Sequence, residues 1–215
     1  MIHLLMILGL LSHIPSSFAA KPLTKPAMPA TKVLILGDSI SASYGMKQKE
    51  GWVTLLQNRF IEEKINITLL NASISGETTA GGLARFDTIL ERQKPDLVLI
   101  ELGGNDGLRG FPLKKTKQNL LQIIEKSLAQ KHFTALMQIR VPPNLGPRYS
   151  KMFSDIYPTL TKQTNITLVP FLMDTIAVKP ELIQADGLHP TKAAQPLIRD
   201  LMHSEIVKLV EMKNQ

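Results

Sequence analysis

The 215-residue chain contains no cysteine, and only 5% of its residues are aromatic. Without cysteine there is no disulfide framework, no thiolate nucleophile and no thiolate ligand for a metal. Scarce aromatics argue against a site that stacks sugar rings. No G-x-x-x-x-G-K-[ST] occurs, and "LGGNDG" lacks the G-x-G-x-x-G order, so nucleotide-phosphate cradles are not indicated. No internal repeat and no second composition regime appear, which leaves one domain. The only long apolar run is Met1 to Leu11, shorter than the roughly 20 residues of a membrane span.

That run has its own meaning. It is followed by Pro15, Ser16 and Ser17 and ends in "SFAA", with small residues at Ser17 and Ala19. This is the pattern of an export signal peptide, which predicts that residues 1–19 are removed from the mature protein; a disordered or anchoring N-terminus is the alternative. His3 is the one potentially positive side chain of its n-region. Residues 20–30, "AKPLTKPAMPA", read as a flexible leader, and residues 31–215 as the folded domain, with no membrane insertion after cleavage.

What is present is ordinary for a globular domain: 44% hydrophobic, 20% charged, net charge +7. The basic residues are scattered, and the densest cluster, Lys114, Lys115 and Lys117, opens a helical pattern as a solvated face. No nucleic-acid partner is expected. Short aliphatic runs predict strands at Lys32 to Leu36, Ile67 to Asn71, Leu97 to Glu101, Thr134 to Ile139 and Thr167 to Val169. Helical spacing lies between them: Trp52, Leu55, Leu56 and Phe60; Leu83, Phe86 and Leu90; Leu120, Leu121, Ile124 and Leu128; Met152, Phe153, Ile156, Tyr157 and Leu160. Leu197, Ile198, Leu201, Met202 and Leu209 mark a closing helix, and Pro158 should kink or shorten the fourth pattern. This alternation predicts an α/β fold, a parallel sheet between two helical layers.

In such sheets functional groups gather at the carboxyl edge of the strands. Four loops fall there: "GDSIS", "ASISGETT", "LGGNDGLRG" and "DGLHPT". A serine after the first strand suggests nucleophilic catalysis, which needs a base and a group to orient it. Beyond the leader only His132, His189 and His203 remain. His132 precedes a strand at the opposite edge, and His203 lies inside the last helix, off its apolar stripe, as a solvated residue. His189 alone is in a loop on the correct side, and Asp186, three residues earlier with Gly187 between, can reach its ring. Taken alone, a D-x-x-H also suits a metal pair or a helix cap, and Asp38-Ser39 a simple turn.

The blocks "LGDSISASYGM", "NASISGETTAGGLAR", "ELGGNDGLRG", "MQIRVPPNLGPRY" and "DGLHPTKAAQP", in this order, resemble those of the SGNH, or GDSL, hydrolases of the thioesterase I, lysophospholipase L1 and arylesterase type. The resemblance covers about Lys32 to Val210. It implies a three-layer, flavodoxin-like fold with a five-stranded parallel sheet. It also implies Ser39 as nucleophile, His189 as base, Asp186 as its orienting group, and Gly76 and Asn105 as oxyanion donors beside the Ser39 NH. The implied activity is cofactor-free and metal-free hydrolysis of acyl esters and thioesters, including fatty-acyl thioesters, lysophospholipids and aryl esters, by a periplasmic monomer. A carbohydrate O-acetyl esterase and a non-catalytic periplasmic binding protein on the same fold are the alternatives.

The residues themselves leave several roles open. Gly76 also serves as a positive-φ loop residue, and Asn105 as a turn former, although its amide carries two donors. Asp38 holds the turn by local hydrogen bonds, and Asp106 reads as a turn residue. The segments Gly107 to Leu113 and Val141 to Arg148 either wall an acyl groove, with Leu108, Phe111, Pro142 and Leu145 facing a chain and Arg109 near a polar head, or are ordinary surface loops.

Overall fold

The computed structural model describes residues 29–215; the signal-peptide reading and most of the leader lie outside the described residues. Five strands form one all-parallel sheet: β1 (Thr31–Gly37), β2 (Ile67–Asn71), β3 (Leu97–Glu101), β4 (Phe133–Met137) and β5 (Thr167–Val169), in the order β2-β1-β3-β4-β5. Val33 to Leu36 and all of β3 are buried, as expected of parallel strands covered on both faces. The helices are α1 (Trp52–Glu62), α2 (Thr79–Gln93), α3 (Gly104–Leu108), α4 (Leu113–Ala129), α5 (Pro147–Ser154), α6 (Ile156–Thr164) and α7 (Gln195–Lys213). α1 packs with α7, while α2 packs with α4 and α4 with α6. Between them lies one core that includes Trp52, Phe60, Phe86, Leu99 and Tyr157. Full burial of such side chains contributes about 1.5–3 kcal/mol each.

The strand order determines where a site can form. From β1 the chain moves outward to β2, and then crosses back to β3 and on toward β5. The connections leaving β1 and β3 therefore diverge, opening a crevice at their carboxyl ends. Among the described residues, no helix is long and apolar enough to cross a membrane.

The elements differ from expectation in a few places. The fourth helical pattern is two helices, α5 and α6, broken at Asp155. Pro158 has no NH to offer the Ser154 carbonyl, and the Gln138 side chain supplies the donor instead, at 3.1 Å. Gln138 also bonds the Ile139 carbonyl, at 2.9 Å, which ends β4 at Met137 rather than Ile139. Leu128, Met152 and Leu197, expected on apolar stripes, are exposed. His203 is not a freely solvated residue: its Nε2 meets Glu63 Oε2 at 2.7 Å and its ring lies 5.3 Å from that of Phe60, joining α7 to α1. His132 lies where expected, at the opposite edge, lining a depression of about 560 Å³ with Asp96 and Asn165.

Candidate active site

The segment after β1 turns at once. Ala42 N donates to Asp38 O at 2.9 Å and Tyr44 N to Ser39 O at 3.0 Å, while Asp38 Oδ1 accepts the Ile40 NH at 3.2 Å. The result is a helix-like turn whose first NH groups face no intrahelical acceptor. Ser39 N–H has no partner among the described residues. Ser39 is 8% exposed and lines a cavity of about 490 Å³.

On the far bank, the chain from Leu182 to Thr191 folds back on itself. Gln184 N donates to His189 O and Thr191 N to Leu182 O, each at 2.7 Å. Gln184 Nε2 then bonds the carbonyls of Tyr44 and Pro190, both at 3.0 Å, which moors this loop to the Ser39 turn. Inside it, Asp186 Oδ1 accepts the NH groups of Leu188 (2.9 Å) and His189 (3.0 Å). Asp186 Oδ2 lies 2.6 Å from His189 Nδ1, and His189 Nε2 lies 2.9 Å from Ser39 Oγ. Partial burial works against the Asp186 charge, but the two NH groups and the His189 ring outweigh it and draw the carboxyl down to about 2. A carboxylate only accepts, so the proton of a neutral imidazole sits on Nδ1 and Nε2 presents a lone pair to the serine hydroxyl. The Tyr44 ring lies over the imidazole, 4.1 Å between centroids and tilted by 30°.

Two further groups come from β2 and β3. Gly76 follows β2 at φ +78°, a backbone conformation L side chains rarely adopt, and its NH has no partner among the described residues. Asn105 belongs to α3, a short helix in a segment read as an irregular loop. Gly103 opens it at φ +117°, where a side chain would collide with the Tyr157 hydroxyl. Asn105 Nδ2 donates to Asp38 Oδ2 at 3.4 Å, which holds the amide beside the Ser39 turn. Burial raises Asp38, opposed by the Ile40 NH and His189, to about 6.

Of the anticipated groove residues, Leu108 and Pro142 line the cavity, whereas Arg109, Phe111 and Leu145 do not. Arg109 instead donates from Nη2 to Gly76 O at 3.2 Å, tying the end of α3 to the Gly76 loop. Phe111 and Leu145 are exposed. Val141, which opens the anticipated segment, is also a wall, while walls that the sequence reading missed are Ile40, Ile139, Phe171, Met173 and Leu188. All but Leu188 share a signal that was available: they are apolar residues just beyond carboxyl strand ends. Asp106 is no simple turn residue. Only 2% exposed, it accepts the Thr79 NH at 2.9 Å and the Thr79 hydroxyl at 2.5 Å, anchoring α3 to α2.

The sequence model of the GDSL-like lipase/acylhydrolase family matches residues 35–196. The chain belongs to this family. It is 46% identical over 186 residues to an arylesterase of Vibrio mimicus, covering 86% of this chain and 93% of that protein. It is 44% identical over 198 residues to thioesterase 1/protease 1/lysophospholipase L1 of Escherichia coli strain K12, covering 92% and 93%. Among solved structures, the psychrotrophic esterase EstA from Pseudoalteromonas sp., inhibited by monoethylphosphonate, superposes with a TM-score of 0.82 at 54% identity, over 84% of this chain and 99% of that one. As a GDSL-like acylhydrolase, the chain is an enzyme of the acyl-hydrolase class.

Proposed function

We propose that this protein hydrolyses acyl esters and thioesters through an acyl-enzyme on Ser39. The observation that carries the reading is the continuous relay from Ser39 Oγ through His189 to Asp186, with links of 2.9 and 2.6 Å. As Ser39 Oγ attacks the acyl carbon, His189 Nε2 takes its proton, and the Asp186 carboxylate stabilises the imidazolium that forms. Negative charge grows on the carbonyl oxygen, where the NH groups of Ser39 and Gly76 and the Asn105 amide supply hydrogen bonds that strengthen in the transition state. The imidazolium then protonates the leaving alcohol or thiol. Water enters, gives a proton to His189 and attacks the acyl-enzyme, releasing the acid and restoring Ser39.

The cavity supports an acyl chain as the recognised group. Its walls are aliphatic or aromatic at Ile40, Leu108, Ile139, Val141, Phe171, Met173 and Leu188, and its volume falls within the common range for small-molecule pockets. Aryl esters, fatty-acyl thioesters and lysophospholipids are the proposed substrates, in keeping with the names of its relatives. Action as a monomer is part of the proposal. Residues 1–19 are proposed as an export signal cleaved after Ala19, delivering the mature enzyme to the periplasm. The test is hydrolysis of a short p-nitrophenyl ester and a matched acyl thioester. Both activities are expected in the wild type and lost in Ser39→Ala, and an active Ser39→Ala enzyme would overturn the reading.

A further inference from the structure

Behind the Ser39 turn lies a carboxyl group with no part in the relay. Glu101 ends β3 directly opposite Gly37 of β1, and it is completely buried. Gly37 is not a left-handed glycine. Its lack of a side chain makes room instead, because a Cβ there would collide with Glu101 Oε2. That oxygen accepts the Ser41 hydroxyl at 2.6 Å and the Asp38 NH at 3.4 Å, while Oε1 has no hydrogen-bond partner among the described residues. Burial, with the Asp38 charge adding to it, raises Glu101 well above the usual carboxylate range. Burial thus disfavours its charged form.

We propose that Glu101 is a positioning residue for the oxyanion site, fixing the Ser39 turn from behind through Asp38 and Ser41 and, through Asp38, the Asn105 amide. The proposal rests on the assignment of Ser39, Gly76 and Asn105 above. Its physical basis is a mismatch between cost and stability. A wholly enclosed carboxyl is expensive, and an apolar side chain of similar volume would serve the core at least as well. What an apolar side chain cannot do is accept from the residues on both sides of Ser39. The Asp38 NH and the Ser41 hydroxyl flank the Ser39 amide, and both end on one oxygen. From the other side Asn71 Nδ2 bonds the Ser41 carbonyl at 2.8 Å, so the turn is clamped from β2 and β3 together. Asp38 then passes the constraint forward, to the Ile40 NH through Oδ1 and to Asn105 through Oδ2. Donors serve a tetrahedral oxyanion only when held within a fraction of an ångström of its position, so loosening this clamp should lower kcat and leave substrate binding nearly intact.

The experiment compares Glu101→Gln and Glu101→Met by aryl-ester kinetics and thermal melting. Gln keeps a neutral acceptor at Oε2 and should hold kcat within about threefold of wild type. Met keeps the volume but no acceptor, and should lower kcat by about 10- to 100-fold with KM changed less than twofold, in protein that still melts cooperatively. Equal kcat for the two variants overturns the proposal, as does a Met defect that lies wholly in Tm or KM. Should Glu101→Met not fold, Ser41→Ala removes the shorter of the two donors to the carboxyl and should lower kcat several-fold at constant KM. An unchanged kcat there also overturns the proposal. Wild-type enzyme treated with a p-nitrophenyl phosphonate tests the underlying assignment separately. An inhibited enzyme without an adduct on Ser39 defeats both readings, whereas Ser39 labelling together with equal Gln and Met rates defeats the Glu101 proposal alone.

Discussion

Replacing Asp186 by Asn separates the orienting role of the carboxylate from its local structural one. Oδ1 accepts the Leu188 and His189 NH groups, and an Asn carbonyl can accept both, so the loop should keep its shape. Oδ2 faces His189 Nδ1 at 2.6 Å, and in the variant an NH2 group occupies that position. Two N–H groups cannot point at each other, so the imidazole must move its proton to Nε2. Nε2–H then faces Ser39 Oγ as a donor and can no longer accept the serine proton. The favourable tautomer loses a charge-assisted hydrogen bond of about 1.5–3 kcal/mol, and the imidazolium loses its neighbouring negative charge. Together these correspond to about 4–5.5 kcal/mol, or 10³- to 10⁴-fold in kcat. The same change in a serine-protease triad lowers kcat by about 10⁴. Steady-state p-nitrophenyl ester kinetics and a thermal melt on the same sample read the outcome: kcat should fall by that factor with KM nearly unchanged, while Tm falls only by the few degrees that losing the carboxylate's stabilising charge costs. A variant keeping more than a tenth of wild-type kcat, or one whose defect lies in melting alone, would refute the reasoning.

The other predictions probe neighbouring groups. Asn105→Ala should lower kcat by about 10²- to 10³-fold, or about 2.7–4 kcal/mol, with KM little changed; a normal kcat would leave Asn105 as a turn residue only. Asp38, raised to about 6 from an ordinary 3.8, holds its proton more tightly folded than unfolded. Its stabilising effect is thus present at low pH and is lost as pH rises from about 4 through 6, on the order of 3 kcal/mol for this group. Urea midpoints should fall between pH 5 and 7.5, and Asp38→Asn should flatten that slope; a midpoint rising over this interval would contradict the direction. Asp186, drawn down to about 2, acts oppositely and at lower pH: its contribution is present above about 4 and is lost as pH falls toward 2, so Asp186→Asn should weaken acid unfolding there. His203→Ala breaks the contacts to Glu63 and Phe60 and should lower Tm by a few degrees, about 1 kcal/mol, while kcat/KM keeps its pH profile; an altered profile would contradict a purely structural role.

The parts of this protein that follow from short-range pattern were readable before the fold was known. Buried parallel strands announce themselves as aliphatic runs, so Val33 to Leu36 and Leu97 to Ile100 were plain, and each loop with a polar side chain beyond a strand end was a site candidate. His189 emerged because few histidines compete with it. Features decided by distant contacts were not readable. Whether Asp106 is a turn residue or a buried anchor depends on Thr79, 27 residues away in the chain. The need for glycine at Gly37 is set by Glu101, which the sequence does not display beside it. The α5–α6 break needed the Gln138 side chain to satisfy Ser154. The cavity walls come from loops after β1, β3, β4 and β5, and no local spacing relates Ile40 to Phe171 or Arg109 to Gly76.

The central claim is an acyl-enzyme on Ser39, and rapid acid quench followed by intact-protein and peptide mass spectrometry tests it most directly. Milliseconds after mixing with a slowly deacylating ester, the wild type should carry the mass of one acyl group, located on the peptide containing Ser39, and the adduct should decay at the steady-state rate. Asp186→Asn should form the same adduct more slowly and Ser39→Ala none. An acyl group on a different residue, or an adduct on Ser39→Ala at the wild-type rate, would contradict the account.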